Sequence, residues 1–105
     1  MSTTVQDIRV FITRIHERKA GGKRHLTEDV AQETEGTVEV SENHAKVRVG
    51  AEQVFNLGNY ESLRVIVQIE VPCEKDEVAS TLKELTQKLP GRVQRVKNEF
   101  LKDQE

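Results

Sequence analysis

The clearest pattern in the chain is an alternation from Glu61 to Val71, where Leu63, Val65, Val67, Ile69 and Val71 share one parity and Ser62, Arg64, Gln68 and Glu70 the other. A period of two marks a strand with one buried face. The same alternation runs from Ala45 to Phe55, with Val47, Val49, Ala51 and Phe55 set against Lys46, Arg48, Gly50 and Glu52. A shorter strand is predicted around Val38-Glu39-Val40, joined to the next by a turn at Ser41-Glu42-Asn43-His44, so the three form an antiparallel meander. Pro72 is expected to close the last strand by removing a ladder donor.

Helical spacing appears at both ends. Val5, Ile8, Ile12 and Ile15 fall on one stripe and predict an N-terminal helix, capped by Thr3 or Thr4 and ended by Ala20-Gly21-Gly22. The β-branched Ile8, Val10, Ile12 and Thr13 also alternate acceptably as a strand. Lys23 to Gly36 reads as a polar connection with a helical turn opened at Thr27. At the other end Val78, Leu82, Leu85 and Leu89, then Val93, Val96 and Phe100, predict a C-terminal helix broken at Pro90-Gly91. The expectation is therefore a single α+β domain over residues 1–105: an N-terminal helix, a three-stranded antiparallel meander and a broken C-terminal helix.

The segment Phe55-Asn56-Leu57-Gly58-Asn59-Tyr60-Glu61-Ser62 tests this register. A two-residue loop at Gly58-Asn59 would pair odd positions with even ones and put the two apolar faces on opposite sides of the sheet. A three-residue loop at Leu57-Gly58-Asn59 pairs like parities, sets Lys46 opposite Glu70 and Glu52 opposite Arg64, and places Tyr60 opposite Asn56 on the outer face. Asn56, Tyr60, Ser62 and Arg64 then form one outward patch, with Ile66 on the same face.

Composition narrows the chemistry. The 105 residues are 35% hydrophobic and 32% charged, with a net charge of -2, and Phe11, Phe55, Tyr60 and Phe100 are the aromatic residues. Charge is unevenly spread: Arg14, Arg18, Lys19, Lys23 and Arg24 form a basic arm, followed by the acidic Glu28, Asp29, Glu33, Glu35, Glu39 and Glu42. A basic arm beside an acidic one can pair within the molecule. The lone Cys73 allows no internal disulfide, there is no apolar run of membrane-spanning length, and no leader opens the chain, which predicts a cytoplasmic protein. Ala20-Gly21-Gly22-Lys23-Arg24 lacks the phosphate-loop spacing, His16, His25, His44 and Cys73 lack metal-ligand spacing, and no glycine-flanked nucleophile occurs. The reading is a protein that is not an enzyme and carries no cofactor or metal.

The run Phe55 to Val65, followed by an alternating strand, Pro72-Cys73 and a helix, resembles a group of small phage and prophage proteins. They share an Asn-x-Gly-Asn-Tyr/Phe-Glu-Ser turn before a strand, and the likeness covers about residues 53–88. Such proteins are often encoded near replication and recombination functions, so the resemblance implies association with nucleic acid or with its enzymes, inside a host cell. The expected activity is binding of single-stranded nucleic acid by the sheet face and hairpin end. Tyr60, with Phe55, would stack on bases, Lys46, Arg48 and Arg64 would meet phosphates, Asn56 and Ser62 would add polar contacts, and Lys19 and Lys23 would help from the basic arm. The alternative is a protein-interaction module, an adaptor or an inhibitor of a host enzyme, working as a homo-oligomer through the apolar helical stripe and Ile66.

Overall fold

The computed structural model describes residues 2–104. Four strands, β1 (Thr3–Ala20), β2 (Lys23–Ser41), β3 (Ala45–Gly58) and β4 (Glu61–Cys73), form one antiparallel sheet ordered β2-β1-β4-β3. A short 3-10 turn at Lys75–Glu77 then leads into one helix, α1 (Val78–Asp103). The molecule is elongated, 64 × 22 × 20 Å.

Three expectations about the elements are corrected first. The N-terminal segment is a strand of 18 residues, not a helix, and Gly21-Gly22, with φ of 59° and 77°, is a two-residue hairpin turn rather than a helix end. The mirror-image turn that closes such a hairpin needs positive φ at both positions, which glycine adopts without penalty. The β-branched density of β1 prevails because a strand there fills the slot beside β4, with Val10 opposite Ile69 and Ile12 opposite Val67. The polar segment from Lys23 is likewise the first part of a 19-residue strand, so the sheet has four strands and is not a three-stranded meander. Finally, α1 runs unbroken through Pro90-Gly91. Its buried Leu85, Leu89, Val93 and Val96 seal against the sheet on both sides of the proline, and that packing outweighs one lost backbone hydrogen bond.

Pro72 lies within β4, opposite Lys46, and does not end it. Pairing of β4 with β1 stops at Glu70, so Pro72 has a neighbouring strand on one side only, a position in a sheet where proline is tolerated.

The core lies between α1 and one face of the sheet. Leu63, Val65, Val67 and Ile69 of β4 are essentially inaccessible, flanked by Val10 of β1 and by Val47 and Phe55 of β3. The helical stripe is thus occupied by the protein's own sheet. The opposite sheet face is covered by no element, and Phe11, Ile15 and Ile66 lie on it with Arg48, Arg64 and Gln68.

Two single-residue bulges set the geometry. In the β3–β4 hairpin the loop is Asn59-Tyr60, with φ of 51° and 60°, and the extra residue is Leu57, between the pairs Asn56–Ser62 and Gly58–Glu61. The like-parity pairing required by the two apolar faces is present, but a two-residue turn plus a bulge provides it, not a three-residue loop. Val47 consequently faces Val71 rather than Ile69, and Asn56 faces Ser62 rather than Tyr60. The ion pairs Lys46–Glu70 and Arg64–Glu52, both at 3.1 Å, form as diagonal neighbours instead of direct opposites.

The second bulge inserts Glu35 in β2, between the pairs Arg9–Thr34 and Ile8–Gly36. Glu35 lies on the α1 side, where the two terminal N–H groups of Arg92 donate to its carboxylate at 2.5 and 2.6 Å. Pairing of β1 with β4 stops at Arg9, beside this bulge. The hairpin bends there, which lets three residues, Glu42-Asn43-His44, connect the two edge strands of the sheet. Ser41 is clamped at the bend: its backbone N–H and its hydroxyl each donate to the Glu74 carboxylate at 2.6 Å. Those two bonds, helped by His44, hold the Glu74 carboxyl below its ordinary value of 4.5.

Candidate binding surface at the hairpin tips

Both hairpins end at the same end of the sheet. Arg18 pairs with Glu61, and the Lys19 N–H donates to the Tyr60 carbonyl at 3.3 Å, so the Gly21-Gly22 turn and the Asn59-Tyr60 turn stand side by side. Arg18, Lys19, Lys23, Arg24 and His25 therefore collect around an aromatic residue that is distant from them in sequence. A shallow cleft of about 490 Å³ between the tips is lined by Arg18, Lys19, Ala20, His25, Asn59 and Glu61.

Tyr60 is the most unusual residue of this end. It is 84% exposed and occupies the second turn position in the left-handed region, where glycine is the usual choice. A bulky side chain in that conformation costs roughly 1–2 kcal/mol. Neighbouring Asn59 adopts the same conformation at less cost, because asparagine tolerates it. The fold thus holds one aromatic ring out to solvent at the tip of a strained turn.

The cations here are only partly neutralised. Arg24 is paired with Glu17 at 2.7 Å. Arg18, Lys19 and Lys23 have no ion-pair partner among the described residues.

The other residues singled out in the sequence are placed elsewhere or already occupied. Lys46 lies at the far end of β3, roughly 40 Å along the strand from the tip at 3.3–3.4 Å per residue, and is paired with Glu70. Arg48 lies over the Phe11 ring, 4.5 Å from its centre, and donates to Gln68 at 2.6 Å. Arg64 is paired with Glu52. The Asn56 carboxamide oxygen accepts the Gly58 N–H at 2.9 Å and so serves the bulge, while Ser62 is half-buried between Asn56 and Glu17. Phe55 is buried against α1 with the Lys97 ammonium 4.7 Å from its ring centre, so it presents no face to a base. Lys19, Lys23 and Tyr60 are the sequence-selected residues that come together.

Arg18 and His25 belong to the same end. The sequence signal for them is the basic run of Arg14 to His25, which also contains Lys19 and Lys23. Just behind the tips on the helix side, a cleft of about 380 Å³ is lined by Arg14, His16, Thr27, Asp29 and Phe100. There Arg14 pairs with Asp29, and the His16 ring meets the Phe100 ring edge-on at 5.1 Å. The His16 Nε2 is buried without a hydrogen bond, 3.6 Å from the Glu61 carboxylate. No group of three or more His, Cys, Asp or Glu side chains able to hold a metal ion occurs among the described residues.

No protein-family model, curated protein or solved structure matches the chain. Among the described residues, no helix is long and apolar enough to cross a membrane.

Proposed function

We propose that this protein is a small, non-enzymatic accessory protein of phage type that binds single-stranded nucleic acid through its paired hairpin tips, in the cytoplasm of a host cell. The observation that supports this reading is the juxtaposition of the exposed Tyr60 with Arg18, Lys19 and Lys23. An aromatic platform beside unpaired cations is the arrangement single strands require, with a base stacked on the ring and phosphates against the charges. The reading differs from the sequence expectation in location. The sheet face is set aside because Lys46, Arg48 and Arg64 are engaged with the protein's own groups, and base stacking falls to Tyr60 alone.

The magnitudes follow from the residues. Three phosphate contacts give a salt slope near -2 for a single strand, so affinity falls about twentyfold between roughly 50 and 200 mM salt. Losing one stacked base costs about 1–3 kcal/mol. Fluorescence anisotropy with a labelled oligothymidylate tests this. Tyr60→Ala should weaken binding by about fivefold or more, and Lys19→Ala with Lys23→Ala should also flatten the salt slope. Lys46→Ala should change neither. Absence of binding at low salt, or binding indifferent to Tyr60 and Lys19, would sink the proposal.

A second reading, a protein-interaction module, is favoured by a different observation. Phe11, Ile15, Ile66 and the exposed Val54 share the sheet face that no element covers. The helical stripe no longer supports it, because α1 spends that stripe on its own sheet.

A further inference from the structure

We infer that β2 is a dimerisation edge, and that two copies join their sheets there by antiparallel pairing about a two-fold axis at Val30. This contact is separate from the hairpin tips and independent of what they bind.

β2 borders the sheet and pairs only with β1. From Lys23 to Thr34 it is regular, free of proline and bulge, and exposed almost throughout. Natural sheet edges usually carry a device against such pairing, and this segment has none except its charges. Those charges are arranged so that a second copy answers them. Lys23, Arg24 and His25 lie at one end, while Glu33 and Glu35 lie at the other. An antiparallel copy therefore brings each basic end beside the other's acidic end, which a parallel partner would not.

The register follows from the ladder. The residues flanking a two-residue turn exchange both backbone bonds, so Lys23 and every second residue after it bond to β1. The even-numbered residues, Leu26, Glu28, Val30, Gln32 and Thr34, then direct their N–H and C=O groups to the free edge. With Val30 opposite Val30 of the second copy, Glu28 faces Gln32, Leu26 faces Thr34, Asp29 faces Ala31 and Thr27 faces Glu33. No like charges stand opposite each other. Moving the axis to residue 29 sets two Asp29 carboxylates face to face, and moving it to residue 31 sets Asp29 against Glu33. The chosen axis also covers Val30, at 68% exposure one of the most exposed apolar residues, and the bulge at Glu35 ends the pairing just beyond Thr34.

Sedimentation of the full chain from micromolar to near-millimolar concentration, with cysteine crosslinking, tests the inference. The native Cys73 is buried, so an added cysteine reports on its own position. A reversible dimer is expected. Val30→Lys should weaken it at least about tenfold by placing two ammonium groups on the axis, whereas Val54→Lys on the opposite edge strand should leave it unchanged. Val30→Cys should crosslink rapidly under mild oxidation, since opposite hydrogen-bonded residues lie about 5.5 Å apart between Cα atoms. Leu26→Cys should not, because its two copies would be about 27 Å apart. A monomer at every concentration overturns the inference, as does equal crosslinking at both positions. A dimer dissolved by Val54→Lys and not by Val30→Lys also overturns it and assigns the contact to the β3 edge.

Discussion

Deleting Glu35 should destabilise the protein far more than replacing it. Glu35→Ala removes the bidentate pair with Arg92, whose two side chains are 22% and 35% exposed. With that much solvent access the pair is worth about 1 kcal/mol, between a surface ion pair and a sequestered charge-assisted one. The deletion removes the same pair and also the bulge: the ladder becomes continuous and Gly36 to Ser41 keep their partners on β1, but the bend is lost. Without the bend, Val40, now 4% exposed, stays opposite Thr4 but is lifted away from Pro72, Cys73 and Leu85 at the end of the core. Losing that burial costs about 1.5–3 kcal/mol, so the deletion totals about 2.5–4 kcal/mol. With a urea dependence of about 2 kcal/mol per molar, the unfolding midpoint should fall by about 0.5 M for Glu35→Ala and by about 1–2 M for the deletion. Equilibrium urea unfolding followed by circular dichroism measures both. A deletion no more harmful than the alanine variant would refute the claim that this bulge bends the hairpin base onto the core.

Three further outcomes follow from particular residues. Leu63→Ala, at 0% exposure in the centre of the sheet, should cost about 2–5 kcal/mol in urea unfolding, whereas Leu82→Ala, 39% exposed on α1, should cost under about 1 kcal/mol. Replacing Gly21 and Gly22 together by alanine should lower the melting temperature although nothing lies within 4 Å of either added methyl group, because both φ values are positive; Asn-Gly in their place should be nearly neutral. Glu74 has a folded pKa below 4.5, so the stability it contributes is fully present above that value and is lost as pH falls through the lowered pKa. Ser41→Ala should therefore flatten the acid limb of a stability-against-pH curve below about 4.5, and an unchanged limb would remove the Ser41–Glu74 clamp from the account.

The parts of the fold legible in the sequence are those whose burial leaves a single reading. Leu63 to Ile69 alternate cleanly because one face is sealed by α1, and Leu85 to Val96 keep helical spacing because they do the sealing. The strand β1 was ambiguous for a physical reason: it buries Val10 and half-buries Ile12 on one face and half-buries Phe11 and Ile15 on the other, so apolar residues on both faces blur the period of two. In β2 only Val38-Glu39-Val40 read as a strand, because Val40 is buried; the part from Lys23 to Thr34 had no hydrophobic signature because it is an edge exposed on both sides, and its strand state is imposed by pairing with β1. Parity fixed that like positions face each other in the second hairpin, but not whether a longer loop or a bulge supplies the extra residue. The tip cluster was legible only as separate pieces, a basic run and a turn with a tyrosine. What joins them is the placement of β1 against β4, a long-range pairing that no local pattern encodes.

The most direct test of the central claim uses a property of the composition: Tyr60 is the single tyrosine and the chain has no tryptophan, so tyrosine fluorescence reports on this one ring. Titration with an unlabelled oligothymidylate at low salt should quench that emission saturably as bases stack on Tyr60, and added salt should restore it. Emission that stays constant while the oligonucleotide binds, or an oligonucleotide that does not bind at low salt, would contradict the assignment of the hairpin tips as the binding surface.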